Sequence, residues 1–194
     1  KRTLSQRIQS IYDDKIRYAN MRSTEEMCKR EPYALPALGK LEDVDAMTSA
    51  SLYRYYEDVL KTNAFDLYVL GDVDERIVVE EAERAFRPLI AENRPLPSKK
   101  VESRLVEAEN VVHEEQDVNQ GKLHIGFRTY TTFADEDYVA MQVCNGLFGG
   151  FSHSKLFLNV REKESLAYYA SSQIESHKGL MFVMSGIEFA NYDR

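Results

Sequence analysis

Several kinds of residue are scarce in this chain of 194 residues, and each scarcity excludes a class of protein. Only two cysteines are present, Cys28 and Cys144, and their wide separation provides neither a disulfide framework nor a cysteine pair for a metal. No apolar run approaches the roughly 20 residues that a membrane-spanning helix requires. The sequence therefore predicts two reduced, buried thiols and no membrane partner.

Positive charge is also in short supply, with 25 basic against 32 acidic residues and a net charge of −7. A nucleic-acid-binding surface needs a concentrated positive field, so no nucleic-acid partner is predicted. Hydrophobic residues make up 43% of the chain and charged residues 29%, which is typical of a globular protein with a buried core. Two unpaired cysteines make the cytoplasm the default location.

The hydrophobic periodicity and the turn residues predict an α+β fold, a two-layer arrangement in which helices cover an antiparallel-rich sheet. Helices are predicted over residues 4–30, 50–61, 75–86 and 134–148, and a short one from Ser152 or Ser154 to about Glu164. Strands are predicted over residues 65–70, 111–118, 122–129, 166–174 and 179–189. A hairpin turn is expected at Asn119-Gln120-Gly121, and the last two strands are expected to pair.

Prolines concentrate near the middle of the chain, where the hydrophobic periodicity stops, and this predicts a linker over residues 88–103. Residues 1–87 and 104–194 are therefore expected to belong to different domains. The chain begins at Lys1 without a methionine, and Asn191 and Asp193 could cap a helix that does not follow. We therefore expect a piece of a longer protein.

The sequence motifs of common catalytic sites are absent. Neither His-Glu-x-x-His nor its inverse, His-x-x-Glu-His, occurs. The nearest approach is His113 with Glu114 and Asp117, which would still need a ligand from elsewhere. Gly149-Gly150 lacks the rest of a phosphate-binding loop, and no serine lies in a Gly-x-Ser-x-Gly elbow. No metal or other cofactor is therefore predicted in this chain.

Arg161 and Tyr168 form the strongest candidate site that the residues themselves indicate. Arg161 lies near the end of a predicted helix, and Tyr168 lies early in the strand that follows. A guanidinium fork and a phenolic hydroxyl at such a junction can face one cleft and bind peptide carbonyls or a developing oxyanion. The alternative is an arginine in surface ion pairs and a tyrosine in the sheet.

The region around this pair is similar to a known family. Residues 148–157, followed by Val160-Arg161-Glu162-Lys163 and Leu166-Ala167-Tyr168, resemble the second, non-catalytic half of the pitrilysin/insulinase-type zinc metallopeptidases, the inverzincins. Glu31-Pro32-Tyr33 and residues 55–59 and 69–74 resemble the end of that family's first half. Residues 117–123 are similar to its bacterial processing-protease-like branch, which includes inactive members.

This resemblance implies LuxS/MPP-like half-domains, with the closing part of the first half in residues 1–87 and the opening part of the second in 104–194. It implies that Arg161 binds the backbone of a peptide or unfolded polypeptide, and that Tyr168 polarises the scissile carbonyl or stabilises the oxyanion. Zinc is expected only in a catalytic half-domain or a paralogous subunit, the expected protein partner. This chain alone is expected to lack peptidase activity.

The competing hypothesis is a non-enzymatic interaction module on the same fold, in which the cleft holds a peptide or a partner subunit. The two hypotheses differ upstream of Lys1, where a His-x-x-Glu-His signature would favour the peptidase and its absence would favour the module.

Overall fold

The computed structural model describes residues 1–89, 106 and 108–194. The chain divides into two compact units. The first, called here the sheet unit, contains Lys1–Leu41 together with Val101–Arg194, and the second, the helical unit, contains Glu42–Lys100. The predicted linker over residues 88–103 falls largely outside the described residues, so the predicted division into half-domains stays a prediction.

The regular elements of the described residues are six α-helices, three strands and several short helical turns. The helices are α1 (Arg2–Asp13), α2 (Lys15–Met27), α3 (Leu41–Ala46), α4 (Ser49–Thr62), α5 (Glu75–Phe86) and α6 (Tyr138–Asn145). The strands are β1 (Gly121–Arg128), β2 (Ala167–Glu175) and β3 (Leu180–Ile187). Turns of 3-10 helix cover Pro32–Ala34, Arg87–Leu89 and Phe189–Asn191, and π-helical turns cover Gly146–Gly150 and Phe157–Lys163. None of the helices in these ranges combines the length and apolar character that a bilayer crossing requires.

The helix predicted for residues 4–30 is two helices, because Asp14 interrupts it. Asp14 has an extended backbone, and its Oδ1 accepts hydrogen bonds of 3.1 Å from the backbone N–H groups of Ile16 and Arg17. An aspartate in this position satisfies the free N–H groups of a helix start. The break therefore comes from a capping residue inside the apolar pattern, and α2 then ends at Met27, with Cys28 as its capping residue.

The sheet is antiparallel, with the strand order β1-β3-β2. The central strand β3 places Ser185 opposite Leu123 on one side and opposite Ala170 on the other. The predicted pairing of residues 166–174 with 179–189 is confirmed as the β2–β3 pair. The predicted α+β class is confirmed as well.

Helical structure covers both faces of the sheet. On one face a core cluster is formed by Ala167, Ala170 and Ile187, with Leu123, Leu156 and Val160 packed against it. On the other face α2 packs against β1, where a Cβ on Gly126 would come within 2.5 Å of the Met27 sulfur. Because side chains alternate along a strand, these two contacts use opposite faces of β1.

Two predicted strands are not formed in the described residues. Residues 65–70 have the composition of a strand, yet Tyr68 is 85% and Leu70 98% exposed, and no strand of the described sheet pairs with them. Residues 111–118 are also irregular, so the hairpin predicted at residues 119–121 is wrong, and β1 pairs with β3 instead. A residue's preference for β structure produces a strand only where a neighbouring strand offers hydrogen-bond partners.

The helix predicted for residues 134–148 starts later and ends in a π-helical turn. Asp135 closes the preceding turn, since its Oδ2 accepts from the Thr132 backbone N–H at 2.6 Å and from the Thr132 hydroxyl at 2.7 Å. At the other end, a Cβ on Gly149 would lie only 2.6 Å from the backbone nitrogen of Ser172 on β2. The Gly149-Gly150 pair is therefore a close-packing feature of this turn.

The helical unit confirms the two helices predicted within it. Thr48 begins α4 with a reciprocal cap, in which its hydroxyl oxygen accepts from the Ser51 N–H at 3.0 Å and its own N–H donates to the Ser51 hydroxyl at 2.9 Å. Many apolar side chains of this unit are exposed, and Leu52, Tyr55 and Ile77 are each more than half exposed.

Candidate functional site

Arg161 and Tyr168 lie at the two ends of a tight helix-to-strand junction. The π-helical turn Phe157–Lys163 carries Arg161, and β2 begins at Ala167. Between them Ser165 has a φ of 50°, a left-handed conformation that is uncommon for a residue other than glycine. The Leu166 N–H donates to the Val160 carbonyl at 2.9 Å, which closes the junction.

Tyr168 occupies a β-bulge. Ala167 pairs with Ile187 and Tyr169 pairs with Gly186, so Tyr168 is the extra residue of β2 in this register. A bulge turns a side chain out of the regular alternation of a strand. Tyr168 is 55% exposed, and its hydroxyl donates to Glu188 Oε1 at 3.3 Å.

Arg161 is held by an aromatic neighbour and remains accessible. Its guanidinium lies 4.6 Å from the ring centroid of Phe157, one turn earlier on the same helical segment. Its Nε is 3.7 Å from Glu162 Oε1, and the arginine side chain is 42% exposed. An exposed ion pair of this kind contributes little free energy, so the guanidinium can exchange it for a ligand oxygen.

The core cluster brings the two residues to the same end of the sheet. Val160 precedes Arg161 and Ala167 precedes Tyr168, and both of these apolar residues belong to the packing around Ala170 and Ile187. The arrangement can present hydrogen-bond donors to carbonyl or carboxylate oxygens. The sequence identified both residues and their elements, but it gave no sign of the bulge or of Glu188.

The histidine considered for a metal is engaged elsewhere. The His113 ring lies edge-on to the ring of Tyr192, with centroids 5.9 Å apart. The neighbouring Glu114 accepts hydrogen bonds from the Tyr18 hydroxyl at 2.8 Å and from Arg22 Nε at 2.7 Å. Burial tends to raise the pKa of Glu114, but these two donors outweigh it and lower the pKa. Glu114 therefore attaches the segment before β1 to α2.

The ring nitrogens of a second, half-buried histidine are shielded from solvent. Within the described residues, neither ring nitrogen of His124 on β1 has a hydrogen-bond partner, and the Tyr169 hydroxyl on β2 also lacks one. Burial, with a smaller effect from the Lys122 ammonium, lowers the pKa of His124 to about 4. His124 is therefore neutral at pH 7. Strand alternation could have placed His124 on the α2 side of β1. It could not have predicted that the ring nitrogens are buried.

A buried ion pair joins β1 to the segment just after α2. Arg128 Nη2 pairs with Glu31 and donates to the Met27 carbonyl at 2.9 Å, and the two charged side chains are 8% and 12% exposed. Cys28 lies beside this pair and is buried as predicted, whereas Cys144 on α6 is exposed, contrary to the prediction. Burial raises the pKa of the Cys28 thiol. No local sequence signal connects Glu31 with Arg128.

Comparisons with known proteins agree on one family. A family model described as the peptidase M16 inactive domain matches residues 46–194. The probable inactive metalloprotease YmfF of Bacillus subtilis is 53% identical over 100% of this chain, which covers 45% of that protein. An uncharacterized zinc protease of Rickettsia bellii is 26% identical, over 74% of this chain and 34% of that protein.

Solved structures show the same relationship. A conserved protein from Enterococcus faecalis has a TM-score of 0.90 and 35% identity, covering 99% of this chain and 45% of that one. The peptidase M16 inactive domain from Pseudomonas fluorescens has a TM-score of 0.64 at 18% identity, covering 96% of this chain and 45% of that chain, which shows a shared fold.

The fold and these comparisons define the class, an inactive domain of a metalloprotease-like protein. The chain belongs to the M16 peptidase family, which confirms the resemblance drawn from its sequence. It spans 45% of the length of both the Bacillus and the Enterococcus relative.

The described residues do not fit the zinc site that names of relatives suggest. Across residues 1–89, 106 and 108–194, no three histidine, cysteine, aspartate or glutamate side chains are grouped to hold a metal ion. His113 and Glu114 have other contacts, and His124 belongs to no such group among the described residues. The expectation that zinc belongs to another half-domain or subunit stays a prediction.

Proposed function

We propose that this chain binds peptide or unfolded polypeptide and helps to enclose it in a chamber, together with a catalytic half-domain or a paralogous subunit. The observation that carries this proposal is the junction at which Arg161 and Tyr168 are both accessible, each directly after a residue that packs in one core cluster. The chain itself performs no peptide hydrolysis in this proposal.

The chemistry of the pair suits a peptide backbone. Arg161 offers several N–H donors in a fixed plane, and contact with the Phe157 ring limits the side-chain freedom that binding would remove. Tyr168 offers one O–H donor from a bulge. Two donors at the same end of a sheet can bind successive oxygens of an extended chain, or one carbonyl on which negative charge develops.

Fluorescence anisotropy on the complete protein tests binding. A library of fluorescein-labelled dodecapeptides is screened first, and the tightest peptide is kept as the probe. Arg161→Ala should weaken its affinity roughly tenfold, because hydrogen bonds to a charged donor are lost. Arg17→Ala is the matched control, since Arg17 is 71% exposed and forms an ion pair with its neighbour Asp14. Equal affinities for the wild type and Arg161→Ala would contradict the proposal.

Turnover tests the role of Tyr168 separately. In the complete protein, combined with a zinc-bearing partner, Tyr168→Phe should slow peptide cleavage more than it weakens peptide binding, because the hydroxyl acts mainly in the transition state. Cleavage rates and anisotropy measured on the same peptide give the two effects. Unchanged turnover would show that Tyr168 has no such role.

A non-enzymatic interaction module is the second candidate. Val139, Val143 and Leu147 follow one another at helical spacing along α6 and the turn after it, and each is more than half exposed. Mass spectrometry of the bound dodecapeptide separates the two functions. A peptide that stays intact with every zinc-bearing paralogue of the same cell would favour the module.

A further inference from the structure

The hydroxyl of Tyr168 makes one hydrogen bond within the described residues, and its acceptor is Glu188. The donor and acceptor oxygens are 3.3 Å apart, and both side chains are exposed. The bond is therefore not part of the core. It can be exchanged for a ligand without disturbing the packing of the sheet.

The backbone around Glu188 is fixed to the strand that carries Tyr168. Ile187, just before Glu188, pairs with Ala167, just before Tyr168. Beyond Glu188, the Asn191 N–H donates to the Glu188 carbonyl at 3.0 Å, and the Asn191 side-chain amide donates to the Leu166 carbonyl at 3.3 Å. The 3-10 turn is thus attached at both ends to the start of β2.

The carboxylate of Glu188 does not cap its own turn. Glu188 is the capping residue of Phe189–Asn191, yet its side chain accepts no hydrogen bond from the N–H groups of that turn. An acidic side chain at a helix start would ordinarily be stabilised by those groups. Here it accepts from the Tyr168 hydroxyl instead.

We propose that Glu188 is a positioning residue for Tyr168, an inference that rests on the proposed peptide-binding function. The carboxylate holds the phenol ring in one orientation before a peptide arrives. The hydroxyl hydrogen then turns from Glu188 to the peptide carbonyl by rotation about the C–O bond, while the ring stays in place. Restraint before binding lowers the entropy that binding must remove.

A double-mutant cycle with the dodecapeptide probe tests the inference on the complete protein. Glu188→Ala should weaken peptide affinity roughly threefold, because a phenol ring that is not restrained beforehand loses more conformational entropy when the peptide binds. Glu188→Gln should keep most of the affinity, because an amide oxygen also accepts from the hydroxyl. In the Tyr168→Phe background, Glu188→Ala should have no further effect. Glu136→Ala, at another exposed carboxylate, controls for the change in net charge.

A spectroscopic measurement reports on the phenol itself. In protein labelled with ¹³Cζ-tyrosine, the Tyr168 resonance is assigned by its loss in Tyr168→Phe. It should move in Glu188→Ala and stay near its wild-type position in Glu188→Gln.

The outcomes separate this inference from the proposed function. If Glu188→Ala weakens binding equally with and without the Tyr168 hydroxyl, Glu188 does not act through Tyr168 and the inference is wrong. If Tyr168→Phe weakens binding while Glu188→Ala does nothing, the inference fails and the proposed function stands. If neither Arg161→Ala nor Tyr168→Phe changes binding, the proposed function fails and the inference falls with it.

Discussion

Arg128 shows how one side chain can fasten two elements. Its guanidinium neutralises Glu31 and also satisfies the Met27 carbonyl at the end of α2, where the helix has unpaired carbonyl groups. Both charged side chains have left water, so each depends on the other. The pair therefore helps to hold the end of α2 on the sheet.

Arg128→Met should lower the free energy of unfolding by about 3 kcal/mol, because it leaves the Glu31 carboxylate buried without a partner. Urea unfolding followed by circular dichroism measures the change. The matched control is Arg17→Met, whose exposed pair with Asp14 should contribute less than about 1 kcal/mol. The double variant Arg128→Met with Glu31→Leu should recover much of the loss, and a double variant as unstable as the single one would contradict this account.

His124 gives the stability a pH dependence of predictable sign. Its pKa is about 4 in the folded protein and about 6.5 in an unfolded chain, so the unfolded state binds a proton first as the pH falls. Stability should therefore decrease from about pH 6.5 to about pH 4, by about 1–2 kcal/mol for this partly exposed residue. Urea unfolding at several pH values measures it.

His124→Leu should flatten this part of the pH profile, because leucine does not titrate. His177→Leu, at an exposed position in the turn after β2, is the control for removing a histidine. An equally steep profile in the His124 variant would assign the pH dependence to other groups. Glu26 and Glu114 have pKa values that are lowered by their cationic and hydroxyl partners. They contribute to the pH dependence of stability mainly at more acid pH.

At the scale of elements, the π-helical turn after α6 lies against β2 with almost no space between them. Gly149→Ala would place a methyl group 2.5 Å from the Ser172 hydroxyl oxygen and 2.6 Å from its backbone nitrogen. We expect a loss of about 1–3 kcal/mol, since the backbone must move apart. Thermal unfolding of Gly149→Ala measures it.

Gly150→Ala is the control for that substitution. Its added Cβ would meet the Asn145 side-chain amide nitrogen at 2.9 Å and the Asn145 carbonyl oxygen at 3.2 Å, and the amide can move aside. The loss of stability should therefore be smaller than for Gly149→Ala. Equal losses would show that the contact with β2 is not the cause.

Elements whose signal is local were predictable from the sequence. Thr48 and Asp74 cap α4 and α5 through backbone groups within three residues, and the β2–β3 pair joins strands only four residues apart. The strands predicted for residues 65–70 and 111–118 were wrong because a strand needs a partner strand, and composition does not say whether one is present. The helix break at Asp14 was not predicted because the apolar pattern continued across it.

The candidate site divides in the same way. Arg161 and Tyr168 were identified from their types, spacing and family resemblance. The bulge at Tyr168 depends on the register between β2 and β3, and Glu188 meets the hydroxyl at the same end of that pair, opposite the connecting turn. Register is set by packing and turn geometry over the whole sheet. Single-residue patterns could not provide it.

At the scale of the whole molecule, protection of backbone amides against hydrogen exchange should differ between segments. β3 is paired on both sides, whereas no strand of the described sheet pairs with residues 66–70. Hydrogen exchange on this chain should therefore show amides of residues 66–70 exchanging at nearly the rate of an unstructured peptide, and those of β3 far more slowly. Amides protected as strongly as those of β3 would mean that this segment pairs in solution.

The sheet unit is assembled from two stretches of chain, and the residues of the helical unit lie between these stretches in the sequence. Glu31 and Arg128 are 97 positions apart. At synthesis rates of about 5–20 residues per second, roughly 5–20 seconds pass between the addition of these two residues on a ribosome. Throughout that interval α2 has no sheet to cover, and its Met27 has no strand beneath it. Because β1 pairs with β3, translation speed from residue 32 to the end of β3 sets how long the nascent chain presents this uncovered helix to chaperones and to other chains.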